Sequence, residues 1–287
     1  MITLQNNNLV MEISEVGAEI HSLYNTQTAV QYVYDGNPTF WARHTPLLFP
    51  VTGPLANGTI KAKGSTYAMP VNGFARDVRF TTIETKQHEA SFVLYSDDRT
   101  RVFYPFEFSL TVTHTLLDNG YTSSAVIKAQ EDLFCTFGWH PAFSLAMNGP
   151  DAKLQSYYVE FETPESVDRL YPVNGIFTKQ ADFLRDQTIL ELSREELDKG
   201  PIVLNGLKSR HVGLKSKDGN RGVIVDRGEL PTLVIWTKEK VEAPYVCVEP
   251  MYSFQDAGRN PELSEMEGML HLKAGESRTF SNTFTVF

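Results

Sequence analysis

One histidine and one glutamate lie where the sequence could place acid–base chemistry. His140 stands between Trp139 and Pro141 in the segment 137–143, with Gly138 two positions before it. Proline restrains the residue before it to an extended backbone, so we expect the imidazole at the end of a strand among aromatic side chains. This setting suits a sugar ring packed on aromatic faces, and it suits proton transfer because histidine titrates near neutral pH. A buried structural histidine is the alternative interpretation.

Glu249 closes a second informative stretch. It ends the apolar run 244–249, directly before Pro250. A carboxylate inside an apolar strand is costly unless it is paired or functional, and perturbed carboxylates cluster at functional sites. We therefore favour a functional role. Glu249 lies 249 − 140 = 109 positions after His140, and two strand ends of an antiparallel sandwich can face the same surface. An acid and a base facing one polar ring could move protons in opposite directions.

Other reaction classes find little support in the sequence. Near Glu249 the sequence has no second carboxylate that lies in an apolar run without an evident partner. This argues against a two-carboxylate glycosidase. The chain has no Gly-x-Ser-x-Gly elbow, P-loop or Gly-x-Gly-x-x-Gly. No group of histidines and cysteines has metal-ligand spacing. We therefore expect neither a metal nor a cofactor.

One arginine and a nearby turn are the next informative positions. Arg43 stands among aromatics in the segment 40–53, which has no clean period and which we interpret as a packed loop. Its guanidinium either extends out of an aromatic cluster to water or forms a fixed donor fork for hydroxyls and anions. Asn72 and Gly73 form a strong turn signal, and Asn72 could serve the turn alone. Arg76 follows three residues after Gly73.

Strand patterns dominate the rest of the chain. The alternating stretches are separated by turn signals, such as 118–120, and this favours a sandwich or barrel over βαβ units. Residues 189–198 are a plausible short helix, with a start signal at Ser193. The alternating stretches are 9–14, 17–24, 78–84, 90–96, 106–116 and 121–129.

The amino-acid composition indicates which kind of protein this is and which partners it is expected to have. The chain has 287 residues, 41% hydrophobic and 21% charged, as in ordinary globular proteins, and we expect one domain over 1–287. A net charge of −9 argues against nucleic acid as a partner. Cys135 and Cys247 each lie in an apolar run and predict buried thiols in a reduced, cytoplasmic setting. We see no secretory signal at the first residues and no apolar run near the ~18 residues that span a membrane.

Four segments together resemble one protein family. Residues 137–143 resemble the Gly-x-His-Pro-x-Phe motif of aldose 1-epimerase-like proteins, in the galactose mutarotase superfamily. Residues 245–250 are similar to their Cys-x-Glu-Pro motif, residues 41–50 to their Arg-x-x-Pro-x-Leu-Phe-Pro stretch, and residues 72–76 to their His-Gly-Phe-Ala-Arg motif. The motifs occur in the family's order, and the nearest subgroup is the LacX-type branch.

The resemblance implies a mainly β fold, a large antiparallel β-supersandwich, with a sugar site on its concave face. The implied reaction interconverts the α and β anomers of an aldose without a cofactor. Glu249 would be the general base at the C1 hydroxyl and His140 the general acid at the ring oxygen. Their reference pKa values, about 4.3 and 6.5, would let an anionic base and a cationic acid coexist near neutral pH. The residues implied to bind the sugar are Arg43, Asn72, Arg76 and Trp139.

Three positions depart from the family pattern. Asn72 replaces a histidine and cannot carry a proton at neutral pH. Met251 replaces a tryptophan that often follows the Glu-Pro pair. The family also uses an aspartate between the histidine and the glutamate, for which Asp198 and Asp226 are candidates. Two alternatives therefore stay open: a sugar-binding protein without catalysis, and a hexose 6-phosphate mutarotase, whose basic pocket would need Arg43, Arg76 and Arg79.

Overall fold

The chain folds almost entirely into β-strands. The structure, a computed structural model, describes residues 1–173, 176–254 and 260–287. Its strands are β1 (Ile2–Gln5), β2 (Leu9–Ile13), β3 (Ile20–Asn25), β4 (Val30–Gln31), β5 (Leu47–Leu48), β6 (Thr59–Ala62), β7 (Ser65–Ala68), β8 (Thr81–Thr85), β9 (Glu89–Tyr95), β10 (Phe108–Leu117), β11 (Gly120–Ala129), β12 (Leu133–Cys135), β13 (Gly138–Trp139), β14 (Ala142–Ser144), β15 (Tyr157–Glu165), β16 (Arg169–Val173), β17 (Ile176–Gln180), β18 (Gln187–Glu191), β19 (Ile202–Asn205), β20 (His211–Ser216), β21 (Gly222–Asp226), β22 (Thr232–Trp236), β23 (Tyr245–Met251), β24 (Leu270–Leu272) and β25 (Ser277–Val286).

Helices are short in the described part of the chain. Two α-helices, α1 (Asp98–Arg101) and α2 (Arg194–Leu197), have four residues each. At that length neither could cross a bilayer. Short 3-10 helices cover Ala56–Gly58, Ala75–Asp77, Leu145–Asn148, Leu154–Ser156 and Leu263–Glu265.

Two large antiparallel sheets form the body of the molecule. The first has nine strands in the order β18-β15-β20-β21-β25-β11-β10-β9-β8. The second has the order β17-β16-β19-β22-β23-β13-β5, with β14 also paired to β23. Smaller sheets are β1-β2-β3-β4, β6-β7 and β12-β24. This architecture confirms the predicted mainly β, antiparallel supersandwich.

Burial patterns show which sheet faces meet. Strand β10 alternates buried and half-buried residues along its whole length, so one face of the nine-stranded sheet packs on the core. All seven residues of β23 are buried, so the eight-stranded sheet is covered on both faces there. One face of β23 joins the core shared with the nine-stranded sheet, through Val246 and Val248. We call the opposite face of this sheet the outer face.

Two local predictions need correction. Residues 189–198 are not one helix, because β18 continues to Glu191 and α2 starts only after Ser193. The start signal itself is confirmed, since the Ser193 hydroxyl accepts the amide hydrogen of Glu196. The segment 40–53 is mostly loop, but Leu47–Leu48 pairs with β13 as a short strand. Both buried cysteines are confirmed.

Candidate active site

Strand register brings Glu249 to the outer face of the eight-stranded sheet. Neighbouring side chains of a strand point to opposite faces. Val246 and Val248 enter the shared core, so Glu249 must point outward. It pairs with Val234 of β22, and both side chains line a cavity of about 250 Å³. The isolated carboxylate of the apolar run therefore forms part of the wall of this cavity.

His140 reaches the same cavity from the next strand. It follows β13, whose Gly138 pairs with Met251 of β23. A Cβ at position 138 would lie 2.8 Å from Met251 Cγ, so glycine allows this close approach of the two strands. The His140 amide donates a hydrogen bond to the Pro46 carbonyl at 2.9 Å, which fixes the backbone just before Pro141.

The predicted acid and base are therefore neighbours. The distance from His140 Nε2 to Glu249 Oε2 is 3.3 Å. His140 is 7% exposed and Glu249 1%. In the described part of the protein, His140 Nδ1 and Glu249 Oε1 are buried without a hydrogen-bond partner. Unsatisfied buried polar atoms are costly, and their position at a cavity indicates a site made for a polar ligand.

Burial shifts both members of the pair toward their neutral forms. It lowers the pKa of His140, and the Arg76 cation lowers it further. It raises the pKa of Glu249 well above its usual range, against the opposing effect of Arg76. Both shifts run against the expectation of a cationic histidine beside an anionic glutamate.

The raised pKa of Glu249 makes this residue a cost to stability. A carboxyl whose pKa is higher in the folded state stabilises the fold below its unfolded pKa, 4.5, and loses that contribution as the pH rises through the folded pKa. Glu249→Gln stays neutral, so we expect its melting temperature to exceed that of the wild type increasingly from pH 4.5 to pH 8. The gain should increase steadily with pH over this interval, because the ionised carboxylate is disfavoured only in the folded protein. Calorimetric melting at both pH values measures it.

A matched control should change in the opposite direction. Glu165 is also fully buried, but its carboxylate accepts the amide hydrogens of Lys208 and Ser209. Glu165→Gln removes this charge-assisted acceptor and should lower the melting temperature. If the melting temperature of Glu249→Gln does not rise relative to that of the wild type as the pH increases, the pKa of Glu249 is not raised.

The turn at Asn72 brings two polar side chains to the cavity. Gly73 has φ +76°, and a Cβ there would lie 2.0 Å from the Phe49 carbonyl oxygen, so only glycine fits. Asn72 Oδ1 accepts the Gly53 amide hydrogen at 2.6 Å. The side chain thus serves the loop, as the turn interpretation expected, and it also lines the cavity. Its amide group is the part that could reach a ligand.

Arg76 lines the same cavity and stays cationic. Its Nη2 donates to the Val71 carbonyl at 2.6 Å, and its Nε is buried without a hydrogen-bond partner in the described chain. Burial, with repulsion from Arg43, lowers the pKa of Arg76 to about 10. Arg76 is therefore a charged donor beside Glu249 at neutral pH.

Arg43 lies farther out than the sequence predicted. Its Nη2 donates to Asp77 Oδ1 at 2.8 Å, and the described lining of the cavity does not include it. Asp77 also lies 3.9 Å from the Nε of Arg76. Arg43 thus acts on the site through its charge and through Asp77, since its cation contributes to the lowered pKa of Arg76.

The predicted sugar contact of Trp139 does not fit the structure. Because Trp139 and His140 are consecutive in an extended segment, they point to opposite sides. The Trp139 indole lies in the shared core, where its Nε1 donates to Asn282 Oδ1 at 3.0 Å. A residue on that side cannot meet a ligand beside His140.

Two other tryptophans line the cavity, and sequence reasoning missed both. Trp41 stacks on the His140 ring at 4.8 Å, and Trp236 meets this ring edge-on at 5.6 Å. The Trp236 Nε1 donates to Glu239 Oε1. One signal was available for Trp236. It ends the apolar run of β22, and Glu249 was singled out because it lies near the end of the apolar run of β23.

Neither candidate for the family's aspartate reaches the cavity. Asp198 bonds to Arg194 and accepts the Lys240 amide hydrogen. Asp226 belongs to β21 of the other large sheet and pairs with Arg210. Both candidate carboxylates thus have structural partners outside the described lining of the cavity.

Glu19 supports the loop behind the site. This carboxylate is 7% exposed and accepts the amide hydrogens of His44 and Thr45. The carbonyl of His44 in turn accepts the Ala142 amide hydrogen. Burial raises the pKa of Glu19, but hydrogen bonds from His21 and His44 outweigh it and lower the pKa to about 2. Glu19 therefore stays ionised and fixes the loop that holds the His140 segment.

Two side-chain groups in the described chain have the composition of a metal site. One is His140, Cys247 and Glu249, in which burial raises the pKa of the Cys247 thiol well above its usual range. The other is Glu19, His21 and His44, whose two imidazoles are stacked at 3.9 Å and 15°.

Comparison with known proteins places the chain in a family. The model of the aldose 1-epimerase family matches residues 1–285, so the chain belongs to the aldose 1-epimerase family. The resemblance seen in the four motifs is thereby confirmed. Family and fold support an epimerase-like function on a carbohydrate.

Three individual proteins illustrate the similarity. Protein LacX, chromosomal, of Lactococcus lactis subsp. lactis is 26% identical over 261 residues, which cover 87% of this chain and 86% of LacX. The crystal structure of a galactose mutarotase-like protein from Lactobacillus casei ATCC 334 matches with a TM-score of 0.92 and 27% identity over the whole of both chains. A galactose mutarotase related enzyme from Lactobacillus acidophilus matches with a TM-score of 0.91 and 26% identity, over 100% of this chain and 97% of that one.

Proposed function

We propose that this protein is a mutarotase that interconverts the α and β anomers of a free aldose. The observation that carries the proposal is the 3.3 Å contact between the buried His140 and Glu249 at the cavity. Each side chain has a second polar atom without a partner among the described residues. The anomeric hydroxyl and the ring oxygen of an aldose are both bonded to C1, so two groups this close can address both atoms.

The pair can carry out the reaction with a constant number of protons. Glu249, as carboxylate, takes the proton of the C1 hydroxyl, while His140, as imidazolium, gives its proton to the ring oxygen. The C1–O5 bond breaks and the aldehyde forms, and the pair becomes a protonated carboxyl and a neutral imidazole. After rotation about C1–C2, Glu249 returns its proton to the carbonyl oxygen while His140 takes back the proton of the O5 hydroxyl, and the ring closes as the other anomer.

The neutral form of the pair, toward which burial shifts both groups, already has the proton count that this cycle needs. A neutral imidazole with a protonated carboxyl contains as many protons as an imidazolium with a carboxylate. Shifting the proton from Oε2 to Nε2 therefore requires no exchange with solvent. A bound sugar that donates to Glu249 and accepts from His140 would favour the charged form, and the Arg76 cation favours the carboxylate.

The remaining lining fits a neutral sugar. Trp41 and Trp236 offer apolar ring faces to the sugar's C–H groups, and Arg76 and the Asn72 amide offer donors to its hydroxyls. Within the described lining, Arg76 is the one cationic side chain. Arg43 is held by Asp77 and Arg79 by Glu15. This supports a free aldose over a hexose 6-phosphate.

Polarimetry on freshly dissolved α-aldoses tests the proposal. We expect the protein to accelerate mutarotation of α-glucose or α-galactose above the spontaneous rate, and more than it accelerates the 6-phosphates. Added inorganic phosphate should leave the rate unchanged. Binding of a sugar without any acceleration would instead identify a sugar-binding protein. Faster reaction of the 6-phosphates, with inhibition by phosphate, would identify a sugar-phosphate mutarotase.

A further inference from the structure

A second cavity continues the outer face beside the active site. It has a volume of about 340 Å³. Phe254 lines both this cavity and the one that contains His140 and Glu249. The proposed reaction needs one sugar ring with a free anomeric centre, so it gives the second cavity no role.

The two cavities lie on the same strands in a continuous row. Val234 of β22 lines the first cavity and Thr232, two residues earlier, lines the second. Side chains two residues apart share a face and lie about 6.6 Å from each other, which is comparable with the length of one pyranose ring. The neighbouring strand β19 adds Val203 and Asn205, which pair with these two residues. The second cavity is therefore one ring length from the first.

The chemistry of the second cavity suits a sugar. Asn205, Thr232 and Glu267 provide donors and acceptors, and Leu170, Val203 and Phe254 provide apolar surface. Sugar-binding surfaces combine these two features, because each ring has hydroxyl groups at its edge and C–H groups on its faces. The Glu267 carboxylate would repel a phosphate group, so this lining favours an uncharged ring.

We propose that the second cavity binds the next sugar unit of a reducing disaccharide or oligosaccharide, whose reducing end occupies the site of His140 and Glu249. This inference rests on the proposed function for the first cavity. A substituent on O4 lies across the pyranose ring from C1, so it leaves the catalytic pair free and extends away from it. The substrate class is thus a 4-linked reducing saccharide.

Rates and affinities for matched sugars test this inference. We expect kcat/KM for maltose, cellobiose or lactose to exceed that for glucose. Asn205 is exposed at the end of β19, so Asn205→Ala should fold. This variant should lower the ratio of disaccharide to glucose kcat/KM about two- to tenfold, the effect of one lost hydrogen bond. Asn7→Ala, an exposed asparagine in a turn of the small β1–β4 sheet, is the matched control and should leave the ratio unchanged.

Calorimetric binding separates this inference from the proposed function. If neither sugar is accelerated but maltose binds more tightly than glucose, and Asn205→Ala removes the difference, the mutarotase proposal fails and the second sugar site stands. If glucose is accelerated but disaccharides react and bind no better, the mutarotase proposal stands and the second site is overturned. A ratio that Asn205→Ala and Asn7→Ala change equally would also overturn it.

Discussion

Glu249→Gln should abolish most of the mutarotation activity while leaving the fold intact. Glutamine keeps the shape of the side chain, but it cannot accept the proton of the C1 hydroxyl. General acid–base catalysis contributes about 10²–10⁴-fold to a rate, so we expect kcat to fall by that factor. The change of KM should be much smaller, because the tryptophans and Arg76 that line the cavity are unchanged. Polarimetry over a range of sugar concentrations separates kcat from KM.

The control for this variant is a substitution of a second buried carboxylate, Glu165. Glu165→Gln replaces another buried carboxylate and should lower stability without a comparable loss of kcat. The melting curve of Glu249→Gln must show a cooperative transition at or above that of the wild type. If folded Glu249→Gln keeps more than a tenth of the wild-type kcat, the residue is not the general base.

The sequence pointed to the proposed catalytic pair through two local signals. A carboxylate in the apolar run 244–249 is costly unless it is paired or functional, and a histidine held before a proline among aromatic residues suits proton transfer. Period-2 alternation also predicted most of the strands and the antiparallel class. Both kinds of signal depend only on neighbouring residues in the sequence. They could therefore be used without knowing which strands pair in the sheets.

The errors arose where the answer depends on neighbours in space. Trp139 was assigned to the sugar because it adjoins His140, but adjacent residues of an extended strand face opposite ways. Trp236 was missed because its place beside His140 depends on the pairing of β22 with β23. The protonation of the pair was predicted from reference pKa values, whereas burial of both groups shifts each toward its neutral form. The pairing of β22 with β23 and the burial of the two charged groups are properties of the folded chain, which local sequence patterns do not give.

His140→Ala should lower kcat by a similar 10²–10⁴-fold and change the pH dependence as well. In the wild type, burial and Arg76 lower the pKa of His140 to about 3, and burial raises that of Glu249. Both shifts widen the pH range over which the pair keeps the same number of protons, so we expect a broad pH–rate profile. Without the imidazole, Glu249 must act alone, so the residual rate should rise with pH as its carboxyl ionises.

His114→Gln provides the matched control, because His114 is also buried but belongs to β10 and bonds to Ser123 and the Ala18 carbonyl. A general loss of packing would lower the rates of both variants and leave the shape of the pH profile unchanged. Loss of a general acid would lower the rate and change the profile in His140→Ala alone. The shape of the profile therefore distinguishes a proton donor from a histidine that merely fills space between Trp41 and Glu249. A residual rate in His140→Ala that stays flat with pH would assign the proton donor to another group.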